Sequence, residues 1–354
     1  MRKLFGSNYS SLLGIDISST SVKILELSSS GEEYCVEAYS STRLPENAME
    51  GNTIKDVDAV ATSIKAAIAT AGSSSKSVAL AVPDSLAISK VIQVNDGLSQ
   101  QEIEEVVMTE ADKYIPYPID EINIDFHVIG PSAKNGAMLD VLIVASRAEN
   151  VSSRLEVIVR AGLDAKIVDV ESYAVERTAQ LLKQELPAGG DKKIIAIIDI
   201  GAMYTHLFVL HGMKIIFSRE EEFGGKQLVD AVVQTYSMQR DEAIAAIEQE
   251  TLPPDYAERV LQPFNELILL QVKRALQFFF STSQHTFVDH ILLAGGVAIH
   301  AALAPLLQEQ VHISTTIANP FLHMKVSQKV NGEQLRHDAP MLMVACGLAL
   351  RRIE

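Results

Sequence analysis

"LLGIDISSTSVKILELS", residues 12–28, is the stretch on which the fold turns. Asp16 stands between Ile15 and Ile17 in what otherwise reads as a buried strand. The hydroxyl run Ser18, Ser19, Thr20 and Ser21 follows, and the apolar pattern returns through Val22, Ile24 and Leu25. Alone, this is a strand entering a hairpin with small polar residues at its turn. A second stretch gives it further meaning: "IIAIIDIGAMYTHLFVL", residues 194–210. Aligning Asp16 with Asp199 also aligns Ile15 with Ile198, Ile17 with Ile200 and Leu27 with Leu210. Each stretch holds a strand with an aspartate, a tight turn and a returning strand, a repeat that suggests two similar lobes facing a shared cleft. Coincidence is the rival reading for so short a match. A third element, "DHILLAGGVAIHAAL" at 289–303, runs from a buried strand through Gly295 and Gly296 into an apolar helix. Such a turn lets a ligand approach backbone amides, and equally serves as a plain tight connection.

Composition sets the limits. A chain of 354 residues with 47% hydrophobic content has ample material for two domains or one bilobed unit. Thirty basic against forty-five acidic residues give a formal charge of -15, which argues against nucleic acid or an anionic lipid surface as the main partner. The two cysteines, Cys35 and Cys346, have no metal-like spacing, and both read as reduced thiols of a cytoplasmic protein. The apolar run Ile291–Leu307 is interrupted by glycines, His300 and Pro305, and falls short of the roughly 20 residues a membrane span needs. "MRKLF" at the start has the character of a lipid contact, too short to anchor a protein.

Strand and helix patterns alternate along the chain. Val57, Val60, Ala61, Ile64 and Ile68 have helical spacing and lead to the strand "SVALAVP". Ser99 with Glu102, and Ser146 with Glu149, have capping-box spacing, so helices are expected after each, the second ending at Gly162. "EINIDFHVIG" and "LDVLIVAS" read as strands between them, making residues 84 to about 164 a candidate small α/β unit. "LPAGGDKK" at 186–193 reads as a linker, giving a first lobe at 1–190 and a second at 191–354.

The two Asp-centred hairpins, the Gly-Gly turn, "DVESYAVERTA" (169–179) and "MLMVACGLALR" (341–351) together resemble the nucleotide-site segments of the actin-like ATPase superfamily. Within it, "LLGIDISSTSVKILELS", "EADKYIPYPIDE" and "VDVESYA" look most like the PilM family of type IV pilus assembly, itself similar to FtsA of cell division. The resemblance spans essentially the whole chain. It implies an α/β, bilobed actin-like ATPase fold with two related lobes around a nucleotide cleft and an inserted FtsA-like subdomain.

It also implies ATP and Mg²⁺ as cofactors. Asp16 and Asp199 suit a metal held through water, and the turn amides and hydroxyls of Ser18, Ser19, Thr20 and Ser21 suit phosphate oxygens. Lys23 falls where the superfamily has a phosphate-contacting lysine. Gly201, Gly224, Gly225, Gly295 and Gly296 fall at the cleft's other turns, and Lys273 and Arg274 where relatives contact adenosine, with Lys226 a lesser candidate. Glu171 matches the residue that positions the attacking water, and equally reads as the first-turn acid of a helix. Ser18 stands where many actin-like proteins have glycine, and Ala202 and Met203 follow Gly201 where strong hydrolases have small or acidic residues. The expectation is therefore ATP binding with slow or negligible hydrolysis.

The family resemblance implies a scaffold that takes the cytoplasmic N-terminal peptide of PilN in a groove between the small unit and the first lobe. It further implies links to pilus motor ATPases and the platform protein, peripheral membrane association through the partner, and room for self-association. Two alternatives remain: an FtsA-like filament protein and a small-molecule kinase of the superfamily. The ending "RRIE", with no basic amphipathic helix after it, favours the pilus reading over FtsA. Elsewhere, His285 and His290 read as structural, Leu270, Ala275 and Phe278 as core positions of one helix, and "REEE" at 219–222 as a solvated acidic loop.

Overall fold

The computed structural model describes residues 12–352, except 32, 133, 134 and 301, so the N-terminal "MRKLF" lies outside the described residues. Strands β1 (Leu13–Ile17) and β2 (Ser21–Ser30) form an antiparallel hairpin with Asp16 opposite Lys23. β3 (Glu33–Arg43) continues the meander. A two-stranded ribbon, β4 (Met49–Glu50) and β5 (Thr53–Ile54), leads into helix α1 (Val57–Ala71). The Asp56 carboxylate accepts from the Ala59 amide at 2.9 Å and caps α1, whose Val60, Ala61 and Ile64 are buried as the helical spacing predicts, with Ala67 beside them and Val57 and Ile68 half-buried. β6 (Ser77–Val82) then pairs parallel to β1.

A separate three-stranded sheet follows: β7 (Ala87–Asn95), helix α2 (Gln100–Tyr114), β8 (Ile122–Pro131) and β9 (Met138–Arg147), in the order β7-β9-β8. Ser99 and Glu102 form the expected reciprocal capping box, and Ile103 and Val107 of α2 pack on Ile92, Val94, Val141 and Ile143. The second expected box is absent. β9 runs on to Arg147, so Ser146 is a strand residue whose hydroxyl donates to the Leu86 carbonyl at 2.6 Å, and α3 (Ala148–Arg160) starts without a side-chain cap. Its Val157 and Ile158 enter the core beneath β1 and β6. β10 (Asp164–Val170) pairs parallel to β6, and α4 (Glu171–Ala179) follows directly.

The second half holds β11 (Ile194–Ile200), β12 (Thr205–His211), β13 (Lys214–Glu221), α5 (Gly225–Tyr236), α6 (Arg240–Glu248), α7 (Gln262–Thr282), β14 (His290–Ala294), α8 (Leu303–Val311) and β15 (Thr315–Ile317). Its sheet order, read β15-β14-β11-β12-β13, reproduces β10-β6-β1-β2-β3 of the first half with the same parallel and antiparallel senses. The repeat seen in two short stretches of sequence is thus a duplication of a whole five-stranded unit. The chain then returns to the first lobe through β16 (Lys325–Val326), which extends the first sheet beside β3, α9 (Gly332–Asp338) and α10 (Met343–Ala349).

α4 and α10 lie between the two sheets. Val175 and Ala179 of α4 pack with Ile195, Ile197 and Phe208 of the second, while Ala345, Cys346 and Ala349 of α10 pack with Leu25, Leu27 and Val36 of the first. Contact is close enough that a side-chain carbon on Gly14 would overlap the Ala345 carbonyl, and one on Gly347 would overlap the Ala174 carbonyl. The lobes therefore meet across a thin helical layer.

Two expectations change in the second lobe. In α7 the buried face is Ile268, Leu269, Val272, Ala275, Leu276 and Phe279; Ala275 is core as expected, whereas Leu270 and Phe278 are 43% exposed because they lie off that face. "REEE" is not a solvated loop. Arg219, Glu220 and Glu221 are the end of β13, paired to β12, and Glu220 turns into the space between the lobes.

Candidate nucleotide cleft

The two hairpins present the same backbone geometry. The Ser18 amide donates to the Ser21 carbonyl at 2.9 Å, and the Gly201 amide to the Tyr204 carbonyl at 2.9 Å. Asp199 sits opposite His206 as Asp16 sits opposite Lys23, so His206 is the second lobe's counterpart of Lys23.

In the first hairpin the Lys23 ammonium donates to Asp16 Oδ2 at 3.0 Å and to Ser18 Oγ at 3.0 Å, and Ser18 Oγ donates in turn to the Ser21 carbonyl at 2.9 Å. Both charged side chains are buried. Burying a charge is costly unless it is paired, and each of these supplies the other's counter-ion. Ser19 and Thr20 form the turn itself.

In the second hairpin the pairing is different. Burial holds the Asp199 carboxyl above the usual carboxylate range, with the charges of His206 and Lys23 acting against it. His206 Nε2 lies 2.9 Å from Glu220 Oε2. Burial disfavours the imidazolium, but the bond to Glu220 and the charges of Glu171 and Asp199 outweigh it and push His206 up to about 9. Glu220 also accepts from Asn52 Nδ2 at 3.1 Å and Ser85 Oγ at 3.3 Å, both from the first lobe. These bonds overcome its burial and hold the Glu220 carboxyl below its ordinary range.

Glu171 is the first residue of α4, between the two hairpins. Burial, and next the charge of Asp16, push it up to about 8. Nearby, Asp84 accepts from the Ser172 amide at 3.0 Å and is also raised by burial. Asp16, Lys23, Glu171, Asp199 and His206 thus act on one another's charges in a single polar space between the lobes.

The glycines differ in what they do. Gly295, at φ 87°, closes against β11, where any side chain would strike the Ile200 carbonyl and the Asp199 carboxylate; next to it, Gly296 faces open space. Gly201 closes the second turn. The amides of Gly224 and Gly225 are engaged internally, by the Gln227 side chain and the Gly201 carbonyl, each at 2.9 Å, and the Lys226 amide by the Ala202 carbonyl at 2.8 Å. A side chain on Gly224 would collide with that same turn, so this pair docks α5 on the second hairpin. Lys226 is ion-paired to Asp230 at 2.6 Å. Among the described residues no hydrogen bond or ion pair joins Lys273 or Arg274, on α7, to either hairpin. His206, Glu220 and Asn52 are the cleft residues that sequence reasoning missed. His206 was accessible through the repeat, since it occupies Lys23's place.

Two duplicated lobes, acid-bearing hairpins facing each other and a Gly-Gly turn at the end of β14 define an actin-like ATPase fold. The ethanolamine utilization protein EutJ from Carboxydothermus hydrogenoformans shares it, at 15% identity and TM-score 0.55, over 96% of this chain and 89% of that one. The family of type IV pilus assembly protein PilM matches residues 14–353, and the chain belongs to that family. A solved PilM-PilN type IV pilus biogenesis complex is similar at 27% identity and TM-score 0.81, over 98% of this chain and 99% of that one.

Proposed function

We propose that this protein is a nucleotide-binding scaffold of the type IV pilus inner-membrane assembly, which receives the cytoplasmic N-terminal peptide of PilN. The observation that carries the reading is the similarity, end to end in both chains, to a protein solved as a PilM-PilN complex. Links to motor ATPases and the platform protein, peripheral membrane placement through PilN and self-association belong to the same proposal. Among the described residues no helix is long and apolar enough to cross a membrane.

The cleft fits ATP with Mg²⁺. Gly296 leaves free space beside the backbone at the end of β14, and the absence of a side chain on Gly295 lets that turn pack directly against Asp199. No group of three or more His, Cys, Asp or Glu side chains suited to a metal occurs among the described residues. Mg²⁺ keeps several waters and takes one or two carboxylates alongside the substrate's phosphates. Asp16 and Asp199 would hold those waters. The Ser19–Thr20 turn and Lys23 would meet phosphate oxygens, the Ser18 amide and hydroxyl being given to the Ser21 carbonyl, and Glu171 would stand beside them as the residue that orders a water. Gly224 and Gly225 would shape the site without donating to it.

For the peptide, the base of the small sheet offers an exposed edge beside the apolar cluster of Ile88, Ile115, Ile122 and Ala145. The Arg147 guanidinium lies over the Tyr117 ring at 5.3 Å, and Tyr117 and Ile119 remain 40% and 37% exposed. An exposed aromatic and an exposed isoleucine with a cation beside them suit an extended segment with alternating apolar side chains. The test is calorimetric titration of the ATP-loaded protein with a synthetic peptide copying the cytoplasmic start of the same genome's PilN. Saturable binding near one to one is expected, weakened about tenfold or more by Tyr117→Ala if that ring anchors the peptide. No binding to folded, loaded protein would overturn the proposal.

A further inference from the structure

The β4-β5 ribbon begins on the first lobe and ends on the second. Its root is fixed: Ala48 and Ile54 are buried in the first lobe's core. The buried Arg154 donates to the Asn52 carbonyl at 3.0 Å and to the Ala81 carbonyl at 3.1 Å. Its tip is Gly51 and Asn52. Gly51 has φ 56°, and a side chain there would run into the Tyr204 hydroxyl, so the tip rests against the turn of the Asp199 hairpin. The Asn52 amide donates to Ser85 Oγ at 2.9 Å and to Glu220 Oε2 at 3.1 Å. Ser85 Oγ donates to the same oxygen at 3.3 Å, and His206 Nε2 reaches it at 2.9 Å. One carboxylate oxygen of the second lobe thus gathers donors from both lobes beside Glu171 and Asp199.

The other contacts across the mouth are of a different kind. Arg43 pairs with Glu248, and Arg240 lies 3.7 Å from Glu46, all on exposed side chains. Exposed pairs of this sort contribute little. The hydrogen-bonding groups of the ribbon tip are polar, so they exchange to water when the lobes part. Hydrogen bonds to a charged group are nonetheless strong enough to favour the joined state.

We infer that the β4-β5 ribbon is an interlobe latch that controls nucleotide release, with Asn52 and Ser85 holding Glu220 while the cleft is closed and letting go as it opens. The release half of this rests on the nucleotide reading above; the latch itself does not. The experiment has two arms. In the first, spin labels on Lys65→Cys (first lobe) and Glu242→Cys (second lobe), in a Cys35→Ser background, report the interlobe distance in nucleotide-free protein. In the second, stopped flow follows release of a fluorescent ATP analogue.

Asn52→Ala is expected to lengthen and broaden the distance distribution and to speed release about tenfold, the size of one lost hydrogen bond to a charged group. Ser85→Ala is expected to do the same to a smaller degree, and it decides the question if Asn52→Ala fails to fold. Unchanged distances together with unchanged release would overturn the inference. If the analogue does not bind the wild-type chain, the nucleotide reading falls, and the distance arm alone decides the latch: widening supports it, and none refutes it.

Discussion

The Asp16 and Asp199 hairpins share strand senses, register and turn bond, yet they handle charge in opposite ways. In the first, Lys23 answers Asp16 and Ser18 within the hairpin itself, and the site is complete in one lobe. In the second, His206 turns from Asp199 to Glu220, and Glu220 turns to Asn52 and Ser85 of the other lobe. Tyr204, where the first hairpin has Ser21, adds a contact to the ribbon tip. Duplication supplied two equal frames; the residue opposite each aspartate decided that one would bind locally and the other would respond to how the lobes are placed.

The largest effect should come from breaking the self-contained hairpin. Lys23→Met leaves the buried Asp16 without its counter-ion, and removing one partner of a buried pair costs about 3–5 kcal/mol. Urea unfolding should show this as a large fall in midpoint. Lys23→Met combined with Asp16→Asn should recover much of it, because the uncompensated charge is gone. An equal loss in single and double variants would mean that packing of the lysine stem, not the ion pair, is what matters.

The second hairpin should instead give the protein a pH response. His206 is pushed up to about 9, above its unfolded value, so its contribution is fully present below about pH 6.5 and is lost as pH rises through 9. Glu171, pushed up to about 8, works in the same direction: between its unfolded value and 8 the native state binds more protons than the unfolded one, and stability falls as pH rises. Melting of nucleotide- and magnesium-free protein should therefore decline steadily from pH 6.5 to 9. His206→Lys makes the second hairpin resemble the first and keeps the positive charge across that range, so it should flatten the histidine's share of the slope. A variant as steep as the wild type would place the pH response elsewhere.

What could be read from the sequence follows the same division. The first hairpin's strands and turn were legible because they are local, but the Lys23–Asp16 pair was not read, since sequence does not show that the two stand opposite each other in the ladder. The duplication was visible because an aspartate between isoleucines is conspicuous in a buried strand. Glu220 was hidden because "REEE" reads the same whether it faces water or a cleft. Only the pairing of β13 with β12, which sets Glu220 opposite His206, turns it inward. Ser146 and Glu149 had capping-box spacing, but a strand that runs to Arg147 overrode the local signal. The glycine pair at 224–225 was conspicuous for the right region, while its task, seating α5 on the turn, depends on carbonyls of Gly201 and Ala202 that sequence does not place.

The smallest effect expected is on catalysis, where the two hairpins fall short together. Ser18 brings a side chain to the first turn, and its hydroxyl is already tied to Lys23 and Ser21; Ala202 and Met203 offer no polar group at the second. Glu171, held near 8, carries its proton through most of the neutral range and is a poor acceptor for one from water. The isolated protein should therefore hydrolyse ATP far below the roughly 1–10³ per second of typical enzymes, in a phosphate-release assay with magnesium at pH 7. Raising the pH to 9 frees the Glu171 carboxylate while discharging about half of the His206 imidazolium, so the two changes oppose each other and the rate should move by less than about tenfold. A steep rise with pH would show that Glu171 alone limits the chemistry and that the second hairpin's histidine takes no part in it.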